Sequence, residues 1–143
     1  MTTWEIMRTL AAVVAAGSVV VAAAAFQHTK EQARTTFEDA MAREYRDIAG
    51  ALPPAVFFTQ QVAALTEEQR QAMFRYLDLS NEQLRLIRER RIRQDTGKVW
   101  ESGIEDLLRR PAFIAFWREL HTELPAEFFT ALSRFRSERG LDA

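Results

Sequence analysis

Residues Pro111 to Leu120 read PAFIAFWREL. Phe113, Phe116, Trp117 and Leu120 stand there at i, i+3, i+4 and i+7, the spacing that gathers apolar side chains on one face of an α-helix. Pro111 suits the first helical turn, where its missing N–H leaves no bond unmade. The same period extends outward. Upstream, Trp100, Ile104 and Leu108 run beside Val99, Gly103 and Leu107, predicting a wide buried face on a helix capped by Asp95 or Thr96. Thr66-Glu67-Glu68-Gln69 reads as a capping box opening a helix with Met73, Phe74 and Leu77. Ser80-Asn81-Glu82-Gln83 reads as a second box, opening a helix with Leu84 and Ile87. Downstream, Pro125 begins a last helix with Phe128, Leu132 and Phe135, and residues 138–143 form a flexible tail. No run of β-branched or aromatic residues alternates with period two, so residues 53–137 are expected to form a small all-α domain.

The N-terminal part has a different composition. Leu10 to Phe26 is an uncharged run of 17 residues, eight of them Ala and five Val. As a helix it spans roughly 25 Å, near the ~30 Å hydrocarbon core of a bilayer. Trp4 and Phe26 fall at its two boundaries. A cleavable signal peptide ending near Ala22–Ala25 and an ordinary buried helix are the competing readings. The run exceeds the usual signal-peptide core and turns abruptly into QHTKEQAR, which favours a retained anchor over residues 1–26. Lys30, Arg34, Arg43 and Arg46 outweigh Arg8, so the positive-inside rule puts the N-terminus outside and the C-terminal domain in the cytoplasm. Ala11, Ala15, Ser18, Ala22 and Ala25 form a stripe of small residues on which another transmembrane helix can pack.

Between anchor and domain, residues 27–52 read as a helical stalk. Phe37, Met41, Ile48 and Leu52 share one face, with Ala33, Ala40 and Tyr45 beside it. Pro53-Pro54 stops the helix. The transmembrane helix can continue into this stalk unbroken, or the stalk can fold back onto the domain. The expected architecture is all-α: a single N-terminal transmembrane helix, a helical stalk and a small cytoplasmic helical domain.

Residues Tyr76 to Trp117 carry a recurring set: Tyr76-Leu77-Asp78-Leu79, Glu82, Ile92 in a basic stretch, Trp100-x-x-Gly103-Ile104, then Pro111 and Trp117. This segment resembles uncharacterised bacterial single-pass membrane proteins of a domain-of-unknown-function family. The resemblance implies a membrane-tethered helical module in a bacterial inner membrane, and it supplies no catalytic residues.

Composition narrows the chemistry. The 143 residues have no cysteine, which excludes a disulfide scaffold, a cysteine nucleophile and any Cys-ligated metal centre. Nineteen Lys and Arg against 20 Asp and Glu leave no net field to draw nucleic acid. Of the cationic residues 17 are Arg and two Lys.

Arg85, Arg88, Arg90, Arg91 and Arg93 form a local basic run that could contact anionic lipid or a partner, although a helix fans them around its circumference. Asp78 and Glu82 are read as capping or ion-pairing groups. His28, four residues after Ala24, has the small-x-x-x-His pattern of a pigment or haem ligand, but at the interface rather than within the apolar span. His121 with Glu119 and Glu123 does not converge on a metal. Trp100 with Gly103 could line a pocket, and ordinary helix packing is the preferred reading.

The expectation is therefore a non-enzymatic interaction module without cofactor or metal. It binds other membrane proteins through its helical domain, its transmembrane helix or both, and does not bind nucleic acid. The alternatives are an accessory subunit of a large respiratory or photosynthetic membrane complex, and an anionic-lipid surface binder.

Overall fold

The computed structural model describes residues 3–58, 64–125 and 127–142, with side chains from residue 20 onward. Its helices are α1 (Thr3–Gly50), α2 (Ala55–Phe58), α3 (Glu67–Arg88), α4 (Gln94–Leu108), α5 (Pro111–Glu123) and α6 (Thr130–Glu138). No strand occurs among the described residues, so the chain is all-α. It divides into two compact units, Met1–Phe37 and Glu38–Ala143.

In the first unit, Val20, Val21 and Phe26 are exposed to 67%, 69% and 67%. The hydroxyls of Thr29 and Thr35 donate to the carbonyls of Ala25 and Glu31, each at 3.0 Å. Of the small-residue stripe, Ala22 and Ala25 are exposed, while the side chains of Ala11, Ala15 and Ser18 lie outside the described residues. Most of the uncharged run lies outside them too. Among the described residues, no helix is long and apolar enough to cross a membrane.

The second unit begins inside α1. Met41, Ile48 and Leu52 are buried in its core, so residues 38–52, grouped with the stalk in the sequence reading, belong to the folded domain. The reason is that their apolar face has a core to enter. Pro53-Pro54 ends α1 as expected, and Pro53 and Pro54 carbonyls accept the N–H groups of Val56 and Phe57 to start α2.

α3 packs against both α4 and α6, and α5 packs against α2 and α4. Phe113, Ile48, Met73, Leu77, Leu86, Leu108 and Leu132 are fully enclosed. The Thr66 capping box is present: Gln69 N–H donates to Thr66 Oγ1 at 3.2 Å, and Thr66 N–H to Gln69 Oε1 at 3.0 Å. The expected face of α5 holds as well, with Phe113, Phe116, Trp117 and Leu120 all buried.

Three local expectations need correction. Ser80 does not cap a new helix. It is fully buried within α3, and its hydroxyl donates to the Tyr76 carbonyl at 2.8 Å, so α3 runs through it. Asn81 caps a different helix, its Oδ1 accepting the Leu132 N–H of α6 at 3.1 Å. Neither Asp95 nor Thr96 caps α4, whose N-cap is Arg93. Nor does Pro125 begin the last helix. Phe128 N–H closes a turn onto the Pro125 carbonyl, and Phe129 adopts a left-handed φ of 57° before α6 starts at Thr130. Burial of the Phe129 ring against Phe74 and Trp117, at 5.4 and 6.2 Å between centroids, outweighs that backbone cost.

Candidate interaction groove

Helix α4 presents two apolar stripes, and the fold buries them unequally. Ile104, Leu107 and Leu108 enter the core, whereas Val99 is 70% exposed, Trp100 is half-buried and Gly103 faces open space. A Cβ built at Gly103 would meet no atom within 4 Å. Val99, Trp100 and Gly103 instead form one wall of a cavity of about 330 Å³. Ala42, Tyr45 and Arg46 of α1 form the other wall, and Tyr76, Gln83 and Ile104 also line it. The preferred packing reading of Trp100 and Gly103 thus gives way to the pocket reading: both line the cavity, and no described atom lies within 4 Å of a Cβ built at Gly103.

A second depression of about 380 Å³ shares Tyr45 and Gly103 with the first and extends it past Ala49, Phe57, Phe58 and Leu107. Together they make an apolar groove between the end of α1 and α4. Phe58, 81% exposed, stands on its edge. Arg46 lines the first part, and Arg110 with Asp106 lines the second. None of these three charged groups has an ion partner among the described residues.

The walls are held by aromatic contacts. Tyr76 sits edge-on to Tyr45 at 6.0 Å and to Phe113 at 5.1 Å, which ties the groove to the core. Burial pushes the Tyr76 phenol above its ordinary value, so the ring stays neutral. Gln83 is 6% exposed and lines the cavity, and its amide has no hydrogen-bond partner among the described residues.

The arginine run is dispersed. Arg85 bonds to Glu82 and Glu89, Arg88 reaches Glu138, Arg91 lies 3.9 Å from Glu89, and Arg93 pairs with Glu38. Only Arg90, exposed beyond the end of α3, has no acidic partner among the described residues. The five do not converge on one surface. Asp78 is exposed on α3, and Glu82 is held by Arg85. His28 is exposed on α1. His121 stacks against Trp117 at 4.8 Å, and its neighbour Glu119 is taken by Arg70. Among the described residues no three His, Asp or Glu side chains could together hold a metal ion.

The sequence placed Tyr45 beside the apolar face of the stalk and Gln83 in a capping box, and gave neither a part in a groove. The available signal was Gly103 itself, since glycine inside a helix costs about 1 kcal/mol relative to alanine. No family model matches the chain, and neither a curated protein nor a solved structure matches it.

Proposed function

We propose that this chain is a membrane-anchored, non-enzymatic interaction module whose groove between α1 and α4 receives an amphipathic helix of another membrane protein. The observation that carries this reading is the apolar groove left open at Gly103. An apolar helix face lying in such a groove places anchors at i, i+3, i+4 and i+7. Arg46 and Arg110 without ion partners ask for carboxylates flanking that stripe. The anchor is supported by the uncharged run Leu10 to Phe26 and by exposed Val20, Val21 and Phe26 at its end. The cytoplasmic orientation of the domain is supported by the cationic flank after the run.

The test is purification of the tagged full chain from native membranes in mild detergent, beside a Gly103→Phe variant that plugs the groove. Wild type brings down a membrane protein in stoichiometric amount, and the plugged variant, with an unchanged helical spectrum, loses it. Retention of the same protein by Gly103→Phe, or recovery of the chain alone from wild type, overturns the reading.

A further inference from the structure

Away from the groove, α5 and α6 flank an open cavity of about 410 Å³ lined by Trp117, Arg118, His121, Ser133, Arg136, Ser137 and Asp142. Arg136 is its unusual member. The residue is 3% exposed, and its guanidinium lies over the Trp117 ring, 4.8 Å from the centroid. Nη2 donates to the Leu141 carbonyl. Nε and Nη1 are buried and donate to nothing. The nearest carboxylate, Asp142 Oδ1, stands 3.6 Å from Nε, which is ion-pair range but not a hydrogen bond.

An arginine stays charged even when burial lowers its pKa, as it does here. A buried cation with two idle donors is a costly arrangement unless an anion completes it. The charge balance points the same way. Arg118 also lines the cavity and has no acidic partner among the described residues, so the lining carries two guanidiniums and one carboxylate. That carboxylate is carried on the tail. Gly140, at φ 64°, ends α6, with Gly140 N–H bonded to the Ser137 carbonyl and Leu141 N–H to the Arg136 carbonyl. This turn buries Leu141 and brings Asp142 to Arg136 and to the Ser137 hydroxyl.

We propose that this cavity binds a phosphate group, for which Asp142 is an intramolecular stand-in. Arg136 supplies its idle Nε and Nη1 hydrogens, Arg118 a second guanidinium, and Ser133 and Ser137 two hydroxyls. Donors of this number suit a tetrahedral dianion with several acceptor oxygens better than a planar carboxylate, which one fork already satisfies. The incoming phosphate takes over the bonds of Asp142, and the tail residue moves out to solvent.

The experiment is isothermal titration of inorganic phosphate, with acetate as comparison, into the full chain in detergent micelles and phosphate-free buffer. Wild type binds phosphate saturably and more tightly than acetate. Asp142→Asn, which removes the competing charge, tightens phosphate binding several-fold. Arg118→Gln and Ser133→Ala each weaken it, Arg118→Gln by tenfold or more, and neither alters the buried guanidinium of Arg136. Absence of saturable binding in both wild type and Asp142→Asn overturns the proposal. So does equal affinity for acetate, or binding indifferent to Arg118→Gln.

Discussion

Glu38 on α1 accepts the backbone N–H of Arg93, the N-cap of α4, at 2.9 Å. Its carboxylate also receives Arg93 Nη1 at 3.1 Å and the Thr96 hydroxyl at 3.1 Å, while the residue is only 7% exposed. An acid from 55 residues earlier in the chain thus binds the start of α4, where Asp95 or Thr96 was expected to cap it. A negative group at that helix end is also favoured by the backbone dipole. Glu38→Ala is expected to destabilise the domain by about 2–3 kcal/mol, the worth of charge-assisted hydrogen bonds lost from a buried site. Urea unfolding followed by circular dichroism measures it.

The same contact fixes where the domain begins. A chain begun at residue 53 lacks Glu38, Met41, Ile48 and Leu52, and is expected to expose the core face they cover. A chain begun at residue 38 retains all four. Thermal melts of the two should show a cooperative transition only for the longer one.

Arg90 lies in the left-handed region at φ 59°, where the Arg90 and Arg91 N–H groups bond to the Ile87 and Leu86 carbonyls to close α3. Glycine is the residue that this turn favours. Since Arg90 has no acidic partner to lose, Arg90→Gly should stabilise the domain by about 1 kcal/mol. Chemical unfolding of the variant reads the shift directly.

Glu82, Glu105 and Glu119 are held below their ordinary value of 4.5, chiefly by hydrogen bonds from Arg85, Arg109 and Arg70. Because their folded values are depressed, the stability they contribute is present above pH 4.5 and is lost as pH falls through the folded values. The melting temperature should therefore drop on acidification below about pH 4.5. Glu119→Gln should flatten that drop, since the Arg70 pair no longer titrates.

Gly103→Ala should raise stability by about 1 kcal/mol, because helix propensity improves and the new Cβ meets nothing. A stabilised variant with weakened partner binding would separate the groove's two properties, fold and function. Gly97 offers the contrast. A Cβ there would lie 3.3 Å from Ile87 Cγ1, so alanine at that position presses α4 against α3.

Strong local signals were legible in the sequence. The Thr66 box, Pro53-Pro54, Pro111 and the α5 face each rest on neighbours within two turns, and all stand in the fold. What was not legible depends on distant residues. Ser80 looked like a cap until burial gave its hydroxyl to the Tyr76 carbonyl. The two stripes of α4 look alike in sequence, and only the packing of distant parts of the chain decides that Ile104 is covered while Val99 is not. Arg136 is one arginine among 17, and nothing in its local sequence announces a buried guanidinium with idle donors.

The most direct test places a photo-crosslinking amino acid at position 99 in the full chain in native membranes, with a matched probe at Arg75, exposed on α3. The account predicts one crosslinked membrane protein from position 99, absent from position 75 and abolished by Gly103→Phe. Equal crosslinking from both positions, or a product that survives Gly103→Phe, would contradict the groove as the partner's binding site.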